Sequence, residues 1–236
     1  MNAAWTLRPD QGGAYTRRPA PDGHQRANLR SGPPSRVALV NVIELAVRRP
    51  SLPPPPRSDE RRSDLAWARW LLEAWSTSPD RLRHSLTLWW RAIAAVKDQL
   101  SWLSTARAEP LVLAALLHDI GRLVAPDADE PHGFAGAAWL DSLGLHEVAP
   151  LVAHHSGGSF AARLQGLGHL DRWQPDGDLL GVLTYLDRTT SATGDVVSVR
   201  ERRGRIVERY GPASTHLVAF DLATPQAARG RRLLFG

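Results

Sequence analysis

The stretch LVLAALLHDIGRL, residues 111–123, decides the fold of this chain. Its first seven residues are apolar without interruption, so a helix formed by them is apolar on every face, which is typical of a helix buried at the centre of a protein. The Glu-Pro pair at residues 109–110 favours a helix start, and Gly121 favours a helix end. We therefore predict a central buried helix that ends in two polar residues, His118 and Asp119.

Apolar residues three or four positions apart, with capping residues at the ends, predict helices over most of the remaining chain. Besides the central helix, the predicted helices are Asp64 to Trp75, Ser78 to about Leu100, His132 to Gly144, His146 to His155, Asp178 to Thr190 and Asp195 to Tyr210. One short run, His216 to Phe220, is strand-like. The predicted fold class is all-α, a bundle of about seven helices.

The charge of the chain is concentrated at its N-terminal end. A net charge of +5 over 236 residues taken alone favours a polyanion partner such as nucleic acid. Residues 1–57, however, contain nine arginines, three acids and ten of the 18 prolines, whereas the other 179 residues contain 20 basic and 21 acidic groups. This composition favours a disordered, solvated arm over a nucleic-acid-binding one; a translation start further downstream is an alternative explanation. We predict an arm at residues 1–57, a domain at 58–212 and a C-terminal tail at 213–236.

The absence of cysteine excludes disulfides, thiolate zinc sites and cysteine nucleophiles. Any metal must therefore be bound by histidine and carboxylate side chains. The longest apolar stretch, residues 37–47, is much shorter than the roughly 20 residues that span a membrane, and the first 30 residues contain no continuous apolar segment typical of a secretory signal. We expect a cytoplasmic protein with no membrane partner, and the sequence leaves its oligomeric state open.

Several histidines and aspartates stand at helix ends or at inward positions of the predicted helices. They are His84, His118, Asp119, His132, His154, His155 and Asp187. Each has an ordinary explanation by itself, such as a hydrogen-bonded surface histidine or a charge at a helix end. Their joint occurrence on separate apolar helices is harder to explain in this way, because buried ionisable groups need partners. A shared divalent cation would be a partner for all of them.

This series of residues resembles the HD-domain superfamily of metal-dependent phosphohydrolases, whose fold is all-helical. The flanking residues contribute to the resemblance: Ile-Gly-Arg follows Asp119, His132 is followed by glycine and then by Gly-Ala at residues 136–137, and an apolar residue precedes the Ala-His-His that ends at His155. The resemblance covers about residues 64–210. It is greatest to small bacterial HD proteins that lack a fused signalling domain.

The resemblance implies a site for one or two metal ions. The implied ligands of one ion are His84, His118, Asp119 and Asp187. The additional histidines, His132 and either His154 or His155, would bind a second ion to which Asp119 could bridge. Histidine and carboxylate ligands suit Mn²⁺, Fe²⁺, Co²⁺, Ni²⁺ or Zn²⁺ better than Mg²⁺.

The implied activity is hydrolysis of a phosphate ester or anhydride by a metal-activated water, in a small phosphorylated substrate such as a nucleotide. Arg122, at a position where the family often has lysine, would stabilise charge on the leaving oxygen or is simply a charge at a helix end. Asp119 or an uncoordinated histidine would accept a proton, and Arg81 or Arg83 would contact further phosphates. A di-iron oxygenase and a non-catalytic nucleotide-binding module are the alternatives.

Overall fold

The structure is a computed structural model that describes four ranges of the chain: residues 61–75, 78–126, 131–168 and 172–236. The predicted arm at residues 1–57 lies outside these ranges. Within them the chain is helical and contains no β-strand, apart from an isolated antiparallel bridge between Thr190 and Val196. The predicted all-α fold class is therefore confirmed for the described part of the chain.

The helices of the described residues are, in chain order, α1 (Arg61–Trp75), α2 (Pro79–Asp98), α3 (Thr105–Leu117), α4 (Gly121–Val124), α5 (His132–Ser142), α6 (Ala149–His154), a 3₁₀ turn (His155–Gly157), α7 (Gly158–Leu164), α8 (Gly177–Arg188), α9 (Val199–Tyr210), α10 (Thr215–Leu222) and α11 (Thr224–Phe235). They exceed the predicted seven because short helices, α4 and α7, occupy segments expected to be loops, and because the C-terminal residues are helical. None of these helices combines the length and the apolar character needed to cross a membrane.

α3 lies at the centre of the fold, as its composition predicts. Every residue from Leu111 to Leu117 is buried, and α1, α2, α6 and α8 all pack against this helix. The predicted start is wrong, because α3 begins at Thr105 and contains Pro110 in its interior. A proline favours a helix boundary but does not determine it. The apolar run therefore decides the position of the helix, and its polar end reaches the interior of the protein.

The helix predicted to begin at Asp195 begins at Val199 instead. Ser198 caps it by accepting a hydrogen bond from the backbone N–H of Glu201. Asp195 belongs to the preceding turn, where its backbone N–H donates to the hydroxyl of Ser191 over 2.9 Å. The residues between α8 and α9 therefore form a hydrogen-bonded turn and not a first helical turn.

The strand-like run predicted at His216–Phe220 is wrong, because these residues lie within α10. The side chain of Ser214 accepts a hydrogen bond from the backbone N–H of Leu217 and so caps a helix. A short apolar run does not by itself distinguish a strand from a helix. Leu217, Ala219 and Phe220 are buried, so this segment packs into the domain.

α11 packs along α8 at an unusually close backbone approach. A Cβ atom placed on Gly230 would lie 2.0 Å from the carbonyl oxygen of Gly181, a distance that no side chain can occupy. The residues expected to form a C-terminal tail thus pack against the helix that contains Asp187.

Asp176 caps the N-terminus of α8 and makes a testable contribution to stability. Its side chain accepts hydrogen bonds from the backbone N–H groups of Asp178 and Leu179 and from Arg107, whose Nη2 lies 2.6 Å from Oδ2. Burial raises the pKa of Asp176, but these hydrogen bonds outweigh it and hold the pKa below its ordinary value. The charged cap therefore stabilises the fold above the unfolded-state pKa of about 3.9 and loses this effect as the pH falls through the folded-state pKa.

We expect Asp176→Ala to lower the free energy of unfolding by about 1 kcal/mol at neutral pH. Asp176→Asn keeps an oxygen acceptor for the helix but removes the charge, so its difference from the wild type isolates the charged part. Urea unfolding at neutral and acidic pH measures both. A difference between wild type and Asp176→Asn that stays constant down to acidic pH would contradict the assignment.

Candidate metal centre

Side chains from five helices or their ends meet at the polar end of α3. They are His84 of α2, His118 and Asp119 after α3, His132 at the start of α5, His155 after α6 and Asp187 in the last turn of α8. Most of them are almost fully buried, with His118 only 1% exposed and Asp187 only 6% exposed. The apolar helices thus carry these polar groups into the core, where they need each other or a ligand as partners.

Two groups of acceptor atoms can be distinguished, and Asp119 belongs to both. In the first, Nε2 of His84 lies 2.9 Å from Nε2 of His118, which lies 3.9 Å from Oδ2 of Asp119. In the second, Nε2 of His132 lies 2.8 Å from Oδ1 of Asp119 and 3.2 Å from Nε2 of His155. The two carboxylate oxygens of Asp119 therefore serve different groups, which is the arrangement of a bridging ligand.

Asp187 joins the first of these groups. Its Oδ1 atom lies 3.2 Å from Nε2 of His84 and 3.9 Å from Nε2 of His118. Its other oxygen accepts a hydrogen bond from the hydroxyl of Ser156. Asp187 is thus oriented by a neighbour on one oxygen and faces the histidines with the other.

Backbone carbonyl groups determine which nitrogen of each histidine faces the cluster. Nδ1 of His84 donates to the carbonyl of Ser191 over 2.8 Å, and Nδ1 of His155 donates to that of Val152 over 2.6 Å. Nδ1 of His118 donates to the carbonyl of the residue three positions earlier, over 3.0 Å. Because a carbonyl can only accept, the proton of each neutral imidazole lies on Nδ1, and Nε2 presents a lone pair to the cluster. Such carbonyl partners are typical of metal-binding histidines.

The protonation states of the histidines and aspartates in the cluster also match those of metal ligands. Burial lowers the pKa of His118 and of His132 to about 4, against the opposing charge of Asp119. Burial raises the pKa of Asp119, but its electrostatic interactions with His132 and His118, its hydrogen bond with His132 and the charge of Arg122 outweigh it and hold that pKa well below its ordinary value. The pKa of Asp187 is likewise lowered, against burial, by its hydrogen bond with His84 and by nearby charges. Neutral imidazoles beside ionised carboxylates are the forms that bind metal ions.

His84 differs from the other histidines in its response to the same surroundings. Burial lowers its pKa, but the hydrogen bond and the charge of Asp187, together with the charge of Asp119, raise that pKa above its ordinary value. The cluster thus attracts a positive charge to Nε2 of His84. A divalent cation at this point would satisfy the same attraction.

The separations within the cluster fit one further test of a metal site. Ligand atoms about 2.0–2.2 Å from one ion, at tetrahedral or octahedral angles, lie about 2.8–3.6 Å from each other. The separations of 2.8–3.9 Å observed between the acceptor atoms cover this range. Unprotonated Nε2 atoms of His84 and His118 facing each other at 2.9 Å repel unless a proton or a cation lies between them. The residues present therefore fit a divalent cation.

His154 does not belong to the cluster, although the sequence motif left it as an alternative to His155. Its Nδ1 atom is hydrogen-bonded to the hydroxyl of Ser159, and its Nε2 atom lies 2.9 Å from the carbonyl oxygen of Trp173, to which it can donate. Its ring also contacts Phe134. His154 thus contributes to packing between α5, α7 and the segment before α8, and we exclude it as a ligand.

The chain makes a left-handed turn directly after His155. Ser156 has φ 50° and ψ 25°, a left-handed conformation that is uncommon for a residue with a side chain. The chain changes direction there, and the Ser156 hydroxyl reaches Asp187. Strained residues of this kind often occur at functional sites. Sequence reasoning missed Ser156, and its position directly after the two histidines is the signal that could have found it.

Arg91 holds the end of α8 and so positions Asp187 and Ser191. Its Nη1 atom donates to the carbonyl groups of Leu186 and Thr189 over 2.9 and 3.0 Å and to the hydroxyl of Thr190 over 2.7 Å. Arg91 thereby satisfies the carbonyl groups left open where a helix ends. It connects α2, which carries His84, to the helix that carries Asp187.

The cluster forms part of the wall of a cavity of about 220 Å³. Of the predicted substrate-binding arginines, Arg122 lines this cavity and its Nε donates to Oδ1 of Asp119 over 2.9 Å. Arg81 and Arg83 do not line it. Arg83 is exposed beside Asp80, and Arg81 lines a second, small cavity to which Asp119 also contributes. The expected contact of Arg81 or Arg83 with further phosphates therefore finds no support in the lining of the main cavity.

Two other arginines, Arg188 and Arg202, line the cavity instead, together with Tyr210 and His216. Sequence reasoning missed them. Arg188 is adjacent to Asp187, which was its only signal, whereas Arg202 lies in a helix so rich in charged residues that no pattern singles it out.

Residues 81–192 of the chain match the family model described as the HD domain. This range contains every residue of the cluster. No curated protein and no solved structure is detectably similar to the chain.

Proposed function

We propose that this chain, which carries an HD domain of the HD-domain superfamily at residues 81–192, is a metal-dependent phosphohydrolase that cleaves a phosphate ester or anhydride. One observation carries the proposal. The histidine and aspartate cluster lies in the wall of the cavity. Among the described residues of this wall, the acids are the two aspartates of the cluster, and the cationic side chains are arginines. The cluster fits a cation, and the arginines fit an anionic substrate.

The grouping of the ligands favours two ions with Asp119 between them. His84, His118 and Asp187 would bind one ion, and His132 and His155 would bind the other. Divalent ions of the first transition series suit this set of imidazoles and carboxylates, and sulfur ligands are excluded by composition. When bound, such ions supply a nucleophile from water near neutral pH and neutralise phosphoryl oxygens.

Arg122 is the residue best placed to stabilise charge that develops during the reaction. Its Nε donates to Asp119 over 2.9 Å, which orients the guanidinium group. The nitrogens that Asp119 does not occupy can donate to a phosphoryl or leaving oxygen. Asp119 is then a ligand and a positioning residue, and its lowered pKa makes it a weak base, which disfavours it as the proton acceptor.

His216 is the better proton acceptor. It lines the same cavity outside the cluster, and its ring stacks on Tyr210 with 4.2 Å between ring centroids. Burial, together with the charges of Arg122 and Arg209, lowers its pKa, so that its imidazole is neutral near pH 7. A neutral imidazole at the cavity wall can take a proton from the reacting water and return it to the leaving group.

We expect His216→Gln to lower kcat by about 10²-fold without changing the metal content, because the residue is not a ligand. His146→Gln is the matched control, since His146 is exposed and paired with Asp141 outside the cavity. Steady-state kinetics and elemental analysis of both variants check this. Unchanged kcat in His216→Gln would assign proton transfer to another group.

The hydrolase itself is tested by phosphate release from a panel of phosphate esters and anhydrides, with Mn²⁺, Fe²⁺, Co²⁺, Ni²⁺ and Zn²⁺ each supplied in turn. We expect release with at least one substrate and one metal, and loss of release after chelation. Inertness toward the whole panel would contradict the proposal and favour a binding module. Bound iron with consumption of O₂ would contradict it in favour of an oxygenase.

A further inference from the structure

Arg188 is a buried cation whose donors are incompletely used. The residue is 2% exposed, and its guanidinium group lies over the ring of Phe220 with 3.7 Å between Cζ and the ring centroid. Nη2 donates to the hydroxyl of Thr224 over 3.2 Å. Nε and Nη1 are buried and have no hydrogen-bond partner among the described residues. A buried donor without a partner is costly, so its presence calls for a ligand.

No acid in the described part of the chain forms an ion pair with Arg188. Asp221, whose charge acts on it, accepts two hydrogen bonds from Arg203 over 2.9 and 2.8 Å. Asp187, which precedes it in the chain, faces His84 with one oxygen and Ser156 with the other. Arg188 therefore lines the cavity without an ion-pair partner among the described residues.

Arg202 adds a second positive charge to the same cavity. On α9, the neighbouring Arg203 and Arg205 form ion pairs with Asp221 and Glu201. Arg202 forms no ion pair with any described residue, is half-buried and lines the cavity. Its charge also contributes to lowering the pKa of Asp187, so it lies near the cluster. Arg200 and Arg209 of the same helix also form no ion pair with a described residue, but of these three arginines Arg202 is the one that lines the cavity.

Two guanidinium groups that border one cavity repel each other unless an anion lies between them. Planar guanidinium groups bind phosphate oxygens through pairs of hydrogen bonds. Arg122, by contrast, is hydrogen-bonded to Asp119, and its proposed role is to bind the phosphoryl group that reacts. The cavity therefore has arginines for two separate anionic groups.

We propose that Arg188 and Arg202 form a second anion subsite, so that the substrate carries at least two phosphate groups, of which one is hydrolysed and the other is bound here. This inference rests on the proposed function for the identity of the reacting group. Arg202, Phe220 and Thr224 lie beyond the residues 81–192 that match the family model. The subsite thus combines Arg188, which lies inside the matched range, with residues of the C-terminal helices outside it.

The test measures binding without turnover. Calorimetry of the full chain with its metal compares propylphosphonate, which has one phosphate-like group, with α,ω-bisphosphonates of increasing alkyl spacer length. We expect at least one bisphosphonate to bind about tenfold tighter than propylphosphonate, because charge-assisted hydrogen bonds are strong. Arg202→Gln and Arg188→Lys should each remove most of that advantage. Arg205→Gln, three residues from Arg202 and paired outside the cavity, should keep it.

The outcomes separate this proposal from the proposed function. Equal binding of mono- and bisphosphonates, or an unchanged advantage in Arg202→Gln, would overturn the subsite even if phosphate esters are hydrolysed. A bisphosphonate advantage lost in Arg202→Gln supports it even if no ester is hydrolysed, a result that would contradict only the hydrolase. Should Arg188→Lys fail to fold, Arg202→Gln decides the matter.

Discussion

Replacement of Asp119 by alanine is expected to lower kcat/KM by about 10³-fold or more and to reduce the bound metal. Asp119 is the residue shared by both groups of acceptor atoms, with Oδ1 lying 2.8 Å from Nε2 of His132 and Oδ2 facing His118. It also orients Arg122. Its loss would therefore remove a negative charge that both of the proposed ions would need, and would free the arginine proposed to stabilise the reacting phosphoryl group.

Asp119→Asn separates the charge from the shape of this residue. An amide of the same size keeps an oxygen that can accept from Arg122 but cannot neutralise a cation, so we expect the same loss of metal with less loss of stability. Asp141→Asn is the control, because Asp141 forms its ion pairs with His146 and Arg172 away from the cluster. Metal content and kcat/KM near wild-type values in Asp119→Asn would contradict a bridging role.

Gly121→Ala is expected to destabilise the fold by about 3 kcal/mol or more, as overpacking against backbone does. A Cβ atom on Gly121 would lie 1.8 Å from the carbonyl oxygen of His132 and 2.8 Å from the backbone nitrogen of Gly136. Neither atom can move without displacing α5. Because α5 begins at His132, the same displacement would separate this residue from Asp119 and weaken the proposed second metal site.

Gly204→Ala is the matched control for this substitution. Gly204 lies inside α9, and a Cβ atom there would meet no other atom within 4 Å. Alanine at such a helical position stabilises by about 0.5–1 kcal/mol. Urea unfolding of both variants tests the difference. Similar free energies of unfolding for Gly121→Ala and the wild type would show that the close approach of α4 and α5 does not contribute to stability.

The sequence was sufficient to predict the centre of the fold and most of the cluster. An apolar run of seven residues can be stable only inside the protein, so α3 and the position of His118 and Asp119 at its end follow from residues 111–123 alone. That His84, His132 and Asp187 belong beside them was implied by the resemblance to the HD-domain superfamily. The restriction of the cluster to histidine and carboxylate side chains was also predictable, because the chain contains no cysteine.

Details that depend on backbone direction or on distant contacts could not be predicted. His154 and His155 are adjacent and chemically identical, and the left-handed turn at Ser156 that accompanies their different surroundings has no sequence signal beyond the glycines that follow. Arg81 and Arg83 are close to His84 in sequence but do not line the cavity, whereas Arg202 reaches it from α9. Proximity along the chain was therefore a poor guide to the substrate-binding surface.

The most direct test of the metal centre is elemental analysis of the purified full chain after unbound metal has been removed. We expect about two divalent ions per chain of the wild type, fewer in His118→Ala and in His132→Ala, and an unchanged content in His146→Gln. Wild-type protein that retained no stoichiometric metal, or His118→Ala combined with Asp119→Ala that retained the full content, would contradict the assignment of this cluster as a metal site.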